Sequence, residues 1–401
     1  MVTLKAILKA QEKMKGIVHQ TPLDYSRTFS DMAENEVYLK LENLQKTGSF
    51  KVRGSYNKMI SLRKNEVENG VVAASAGNHA QGVAYASTML GIPCTIVMPA
   101  SAPLSKVQAT KGYGANVILQ GNTFDDALDY ALDVKDKTNT AFIHAFDDEA
   151  IIAGQGTVGL EIMEQLPDVE VIICPVGGGG LIAGLAAAVK EKNPAIQVYG
   201  VEAKSCPSMA ESLNLNKLIT VESSPTMADG IAVKRPGQHT FKLVQQYVDD
   251  MITVDEMEIA GAMLMLLERN KLLVEGSGAV SLAAMLNHKL PIRDKKVVQV
   301  ISGGNVDVSF ISRIIERGMV ESGRFMRFQT ILKDKPGNLE KILQIITEQQ
   351  GNILDISLSH MGDKIYPSYA QLSLSIETRD KGHIEEIHKV LKRRGYVTGA
   401  E

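Results

Sequence analysis

Short β-branched runs alternate with longer helical patterns through most of the chain, and no other feature limits its possible folds so tightly. VYLKL (37–41), VVAAS (71–75), CTIVM (94–98), ANVILQ (115–120), VEVIICPV (169–176), IQVYGVE (196–202) and VVQVIS (297–302) read as strands. Between them, segments 78–90, 103–111, 123–136 and 180–191 carry amphipathic or small-residue helical patterns. This alternation predicts an α/β fold with a parallel sheet covered by helices on both faces. Several runs are apolar throughout, as burial on both faces requires. Ligands of such sheets bind beyond the carboxyl ends of the strands. The glycine-rich segments fall there: SAGNHAQG after 71–75, GGGG after 169–176 and GGN after 297–302.

The pattern changes near Ser322 and Gly323. Beyond them RFMRFQTILK reads as a strand, PGNLEKILQIITEQ as a helix, NILDISLSH and YAQLSLSIET as strands and KGHIEEIHKVLKRRG as a helix, with a short last strand in YVTGA. The order β-α-β-β-α-β is that of the ferredoxin-like unit. Residues 324–401 are therefore expected to form a separate small domain of about 75 residues, behind a larger one over residues 1–322.

Bulk chemistry narrows the function. The 401 residues are 44% apolar and 22% charged, ordinary values for a globular protein. A formal charge of −3 offers nothing to nucleic acid or an anionic membrane. Lysines interrupt the opening MVTLKAILKAQEKMKG, so no signal peptide is expected there. No stretch approaches the length of about 18 uncharged apolar residues that spanning a membrane needs. Cys94, Cys174 and Cys206 are too few and too scattered for a disulfide framework. Two of them lie in apolar runs and read as buried thiols of a reducing compartment, so the cytoplasm is expected. No His, Cys, Asp and Glu cluster has zinc-ligand spacing, and no metal is expected.

PVGGGGLIAG ends a strand and opens a helix. Gly177, Gly178, Gly179 and Gly180 let backbone N–H groups approach a ligand with no Cβ in the way. The helix N-terminus adds partial positive charge, so a phosphate is the natural guest. A bare turn would need only one glycine. The same segment carries most of a dinucleotide fingerprint, with Gly178, Gly180 and Ala183 at G-x-G-x-x-A spacing and Glu202 in the next strand. An NAD-linked dehydrogenase is thus an alternative, although that fingerprint usually lies at the first βα turn of its domain. SAGNHAQG is a second strand-to-helix turn. Ser75, Ala76, Gly77, Asn78 and His79 can present backbone amides to a carboxylate, and the Asn78 side chain can donate to a ring oxygen. An ordinary N-cap by Ser75 or Asn78 is the plainer alternative. His79 is set aside as a base, because a lone histidine at the start of a buried helix is more often structural. SGGN (302–305) ends the last strand of the larger domain, where Ser302 can offer its hydroxyl to a ring nitrogen or serve as a cap. EGSGA (275–279) sets Glu275 ahead of a helix, and SFKVRG (49–54) sets Lys51 directly after Phe50. A ligand with a phosphate, a ring oxygen, a ring nitrogen and an aldehyde would use all of these. Pyridoxal phosphate has the four, and Lys51 is then the anchoring amine.

As a set, TGSFKVRG, SAGNHAQG, PVGGGGLIAG, TMADGIAV, EGSGA and SGGN resemble, in order and at natural spacing, the threonine ammonia-lyases of the tryptophan-synthase-β-like pyridoxal-phosphate class. DKPGNLEKI (334–342) resembles the first loop and helix of an ACT domain, a small-ligand sensing module. The resemblance implies PLP fold type II, with two open, mostly parallel sheets flanked by helices and a smaller subdomain over residues 45–145. A C-terminal ferredoxin-like ACT domain would follow. It implies that Lys51 is the Schiff-base lysine, with Phe50 beside it, and that Asn78 meets the phenolic oxygen. Gly177, Gly178, Gly179, Gly180 and Leu181 would hold the phosphate, and Ser302 the pyridine nitrogen. The turn from Ser75 to His79 would take the substrate. The implied reaction converts L-threonine to 2-oxobutyrate and ammonia, and L-serine to pyruvate, in a homodimer or homotetramer. Gly337, Asn338 and Leu339 would hold a regulatory amino acid, isoleucine or valine. Three alternatives stay open. Serine racemases of the class carry a serine where this chain has Ala76. Threonine synthases share the fold but fewer of the motifs. An amino-acid sensor would not need the Lys51 constellation. Some members hold a cation near the segment matching Glu202. Ser208 stands about where the racemases have an aspartate, which puts a tightly held divalent ion in doubt.

Overall fold

The structure is a computed structural model that describes residues 2–361 and 365–396, with only the backbone described at 308, 309 and 321. It divides into two compact units, Met1–Val308 and Ser309–Glu401.

The first unit contains two sheets. The strands along the chain are β1 (Leu23–Tyr25), β2 (Glu36–Lys40), β3 (Val71–Ala74), β4 (Cys94–Met98), β5 (Asn116–Leu119), β6 (Ala141–Phe142), β7 (Val171–Pro175), β8 (Gln197–Ala203), β9 (Asp250–Val254) and β10 (Lys296–Val300). Six form a sheet in the order β1-β2-β10-β7-β8-β9, and four form a second sheet in the order β5-β4-β3-β6. Every pairing is parallel except β1 with β2. The pair of sheets is the arrangement of PLP fold type II. Central β3 and β7 are buried at every position, which is why they read as unbroken apolar runs. The strands without a sequence signal, β1, β6 and β9, each lie at a sheet edge, where half-exposed residues blur the pattern. Among the described residues no helix is long and apolar enough to cross a membrane.

One helix packs against two others through close backbone contacts. Glu149–Gln165 is started by Asp148, whose carboxylate accepts from the N–H groups of Ala150 at 2.8 Å and Ile151 at 3.2 Å. On one side it packs on the helix Gly180–Lys192 so closely that a Cβ at Gly184 would strike the carbonyl of Ile152. On the other side a Cβ at Gly154 would lie 2.7 Å from the backbone of Gly54 in the helix Lys51–Ser61. Glycine is required at both contacts by close backbone approach.

A buried ionic cluster locks the same pair of helices. Arg53 donates to both oxygens of Glu42, at 2.7 and 2.8 Å, and to both oxygens of Glu161, at 2.5 and 2.9 Å. Lys40 donates to Glu161 at 2.6 Å, to the Thr21 carbonyl at 2.8 Å and to Gln165 at 2.9 Å. Two cations face two carboxylates with their donors satisfied, the condition under which buried charge is tolerated.

The second unit begins in the helix Val308–Glu321 and continues through β11 (Phe325–Lys333), the helix Asn338–Glu348, β12 (Asn352–Ser359), β13 (Tyr369–Glu377) and the helix Lys381–Arg393. The strands form an antiparallel sheet in the order β11-β13-β12. Phe328, Leu372, Leu374 and Ile376 point to a core shared with Ile342, Ile346, Ile387 and Leu391 of the two later helices. The β-α-β-β-α order matches the sequence pattern; the last strand read there, in YVTGA, falls almost wholly outside the described residues.

Candidate active site

Three motifs far apart in sequence meet through backbone bonds. Ser49 and Gly303 form an isolated antiparallel bridge. Beside it, the Phe50 N–H donates to the Ser302 carbonyl at 3.2 Å and the Gly304 N–H to the Gly48 carbonyl at 2.9 Å. The Ser302 hydroxyl donates to the carbonyl of Ser277, in EGSGA, at 3.4 Å. Lys51 is the first residue of its helix. A Cβ at Gly82, in the helix Asn78–Leu90, would lie 3.0 Å from the Lys51 backbone, so SAGNHAQG joins the group as well.

The Lys51 ammonium lies 5.3 Å from the centre of the Phe50 ring and donates to the carbonyl of Ala145 at 3.0 Å. Burial lowers its pKa to about 8, with the nearby Glu275 carboxyl opposing the shift. An amine with that value is partly free at neutral pH and can attack a carbonyl or take a proton.

Asn78 accepts a bond from Asn305 at 2.7 Å and donates to Glu275 at 2.6 Å. The plainer reading of the turn, a cap by Ser75 or Asn78, is not realised. Gly77 is the N-cap residue and makes no side-chain cap, while the Ser75 hydroxyl accepts from the Gly77 N–H at 3.1 Å. Among the described residues the first-turn N–H groups of that helix therefore have no side-chain acceptor. His79 is buried, its ring bonded to the Ile143 carbonyl at 2.9 Å, and burial lowers its pKa to about 3. Its imidazole is neutral and structural, leaving only its backbone to the turn.

The glycine loop is built in the same way. Gly179, at φ +92°, starts the helix Gly180–Lys192 without a side-chain cap, and Leu181 is buried in its first turn. A Cβ at Gly178 would strike the ring of Phe146, and one at Gly177 would come within 2.9 Å of Ile231. Residues 144–148 tie the loop to Lys51. Ala145 receives the lysine, Phe146 packs on Gly178, and Asp147 accepts from the N–H groups of Gln238, His239 and Thr240 at 2.8 to 3.1 Å. Thr240 in turn donates to the Gly178 carbonyl at 2.6 Å. A cavity of about 500 Å³ opens beside this segment, lined by His144, Phe146, Asp147 and Arg235 among others. No motif assigns a role to Ala145, Phe146, Asp147, Thr240 or Asn305, and EGSGA offers none for Glu275.

Glu202 is not free to take a ribose hydroxyl. Both its oxygens accept N–H groups, from Met209 and Ala210 at 2.8 Å each, and burial raises its carboxyl to about 8. Ser208 donates to the Val233 carbonyl at 2.5 Å. Among the described residues no group of three or more His, Cys, Asp and Glu is placed to hold a metal. In the second unit, Gly337, at φ +84°, is an N-cap residue with no side-chain cap. Asn338 donates to the Lys333 carbonyl at 2.9 Å, and Leu339 lines a shallow groove with Leu343.

Residues 14–303 match the pyridoxal-phosphate dependent enzyme family. An L-threonine ammonia-lyase of Thermotoga maritima is 52% identical over 396 residues, covering 99% of this chain and 98% of that protein. The processed form of threonine deaminase isoform 2 from Solanum lycopersicum superposes with a TM-score of 0.76 at 37% identity, over 79% of this chain and 87% of that one. Maize serine racemase superposes with a TM-score of 0.75 at 38% identity, over 78% and 96%.

Proposed function

The chain belongs to the pyridoxal-phosphate dependent enzyme family, as a lyase of the threonine ammonia-lyase type, and from that premise we propose that it deaminates L-threonine to 2-oxobutyrate and ammonia, and L-serine to pyruvate, at the site around Lys51. The observation that carries this reading is the lacing of residues 48–50 to 302–304, which brings together the segment of Lys51, a half-buried amine of lowered pKa, and that of the buried Ser302. The residues present fit the cofactor. Lys51 would hold its aldehyde carbon and Asn78 its ring oxygen. The uncapped loop of Gly177, Gly178, Gly179 and Gly180 would take the phosphate, and Ser302 the ring nitrogen. When bound, the cofactor supplies an electron sink conjugated with the substrate Cα.

The chain's own residues do the rest. N–H groups of the turn from Ser75 to His79 hold the substrate carboxylate. Lys51, released when the substrate amine takes its place and positioned by its helix and the Ala145 carbonyl, takes the Cα proton. The β C–O bond then breaks, the hydroxyl leaves with a proton as water, and the released enamine hydrolyses to the oxo acid and ammonia. A hydroxyl at Ser302 does not force a proton onto the ring as a carboxylate would, which favours elimination over transamination.

Lys51→Ala is expected to lose nearly all turnover together with the coloured, borohydride-reducible lysine adduct. A variant that kept both would overturn the assignment. Serine racemisation is the second reading, favoured by the likeness to the maize enzyme. Ala76 has no proton to return to the opposite face of Cα, so chiral analysis of unreacted L-serine should find no D-serine. Its accumulation at the rate of elimination would favour the racemase.

The tail fits an ACT-type regulator of this activity. Gly337, Asn338 and Leu339 open a helix with no side-chain cap, a start that suits a carboxylate, and isoleucine or valine is the effector that a sensor of branched-chain synthesis would bind. The enzyme is then a cytoplasmic homodimer or homotetramer.

A further inference from the structure

We propose that Glu275 and Asn305 are positioning residues that fix the amide of Asn78 in one orientation, so that one defined N–H faces the cofactor's ring oxygen; this rests on the cofactor reading above. A primary amide is two-faced, because an acceptor and a donor of nearly equal shape exchange on a half-turn. An asparagine that must donate to a ligand therefore needs neighbours that make one orientation much better than the other.

The neighbours here do so through a chain with a polarity. At one end stands the Thr47 carbonyl, which can only accept. Asn305 Nδ2 donates to it at 2.7 Å, and this fixes which end of the Asn305 amide faces inward. Its second N–H goes to Asn78 Oδ1, also at 2.7 Å. Asn78 must then turn its nitrogen the other way, where Glu275 Oε1 accepts at 2.6 Å. Both donors of Asn305 are used. Asn78 keeps one N–H, and its direction is set by the other two bonds. A flipped Asn78 would place two N–H groups against each other on one side and two oxygens on the other.

Two glycines are shaped by this chain. A Cβ at Gly303 would strike Glu275 Oε1 and lie 3.1 Å from Asn78 Nδ2. A Cβ at Gly48, at φ +70°, would strike the Asn305 amide. The two segments joined by the Ser49–Gly303 bridge thus flank the clamp that directs Asn78. Burial and the nearby Asp229 raise the Glu275 carboxyl to about 7. What Asn78 needs from position 275 is an acceptor in a fixed place rather than a full charge, which glutamine also offers.

The test uses the full-length holoenzyme and compares wild type with Glu275→Gln, Glu275→Ala, Asn305→Asp and Asn305→Ala. The readouts are the absorption band of the bound cofactor, which reports protonation around its ring oxygen, and the cofactor dissociation constant. Circular dichroism checks the fold. Asn305→Asp is the discriminating change. It conserves shape but turns a donor into an acceptor, so it should flip Asn78. The expected result is a shifted band and about tenfold weaker cofactor binding, the size of one misdirected hydrogen bond. The effect should exceed that of Asn305→Ala, which removes the clamp without reversing it. Glu275→Ala should shift the band, and Glu275→Gln should restore it. If Asn305→Asp and Glu275→Ala, both folded, keep the wild-type band and affinity, the clamp is overturned while the cofactor reading stands. If Asn305→Asp does not fold, the Glu275 pair decides by the same criteria. A wild-type protein that binds no cofactor overturns both.

Discussion

The lowered pKa of Lys51 means that the protein sacrifices stability to keep its amine reactive, and the cost is measurable in the cofactor-free state. The pKa falls from 10.5 in the unfolded chain to about 8 in the folded one. At about 1.4 kcal/mol per unit this is a penalty near 3 kcal/mol, reduced to about 2 kcal/mol because the residue is not wholly out of solvent. The sign follows from linkage. Below about pH 8 both states are protonated and the folded state carries the whole penalty. Between about pH 8 and 10.5 the folded amine has shed its proton and the unfolded one has not, so the penalty fades as pH rises. Lys51→Met removes the charge with little change of volume. It forfeits the bond to the Ala145 carbonyl, worth about 1 kcal/mol. The cofactor-free variant should therefore be more stable than cofactor-free wild type by about 1 kcal/mol at pH 7, and the advantage should vanish or reverse by pH 10. Urea melts of the two proteins at both pH values measure the difference, in which titrating groups remote from Lys51 cancel; Glu275, His79 and His144, which feel the Lys51 charge, contribute to it. A wild type as stable as the variant at pH 7, or a gap independent of pH, would refute the account.

Glu161→Ala should be far more costly than a surface change, since it strands Arg53 and Lys40 without their shared carboxylate. A loss of about 3–5 kcal/mol is expected in the same urea assay. Gly178→Val should place a branched side chain against the Phe146 ring and release cofactor while far-UV circular dichroism stays normal. The bound-cofactor absorbance checks it. Truncation after Ser322 should leave threonine deamination intact and abolish any response to isoleucine or valine. Equal responses in the full and truncated chains, read as rate against effector concentration, would remove the regulatory role from the tail.

What the sequence discloses depends on whether the signal is carried by a side chain. β3 and β7 are legible because every position is buried and apolar, and the glycine turns because only glycine admits such backbone. β6, two residues long, has no room for a pattern, and β9 is half-exposed along its length. Lys51 is held by the carbonyl of Ala145, a group every residue possesses, so nothing at position 145 advertises it. Asn78 is directed by partners 197 and 227 positions away. Arg53 stands in the most telling motif, yet its two carboxylates, Glu42 and Glu161, lie in segments that no motif marks.

Helix starts in the first unit are handled in three ways. In the first unit, helices beginning at Leu4, Arg27, Phe124, Glu149 and Glu256 are capped by Thr3, Ser26, Thr123, Asp148 and Asp255. Those beginning at Ser208 and Gln238 lack a local cap but receive a carboxylate from elsewhere in the fold, Glu202 in one case and Asp147 in the other. The helices Lys51–Ser61, Asn78–Leu90, Leu104–Gly112, Gly180–Lys192 and Gly276–Leu286 have neither among the described residues, and of these Asn78–Leu90 and Gly180–Lys192 begin at the turns SAGNHAQG and PVGGGGLIAG. Uncapped N–H groups with a partial positive charge are costly unless water or a ligand meets them. A substrate carboxylate at the first and a phosphate at the second would satisfy both with the charge each favours. The spacing between the two anions is then set by the helix Glu149–Gln165, which touches the lysine helix on one side and the glycine-loop helix on the other, with the Arg53 cluster holding it in place.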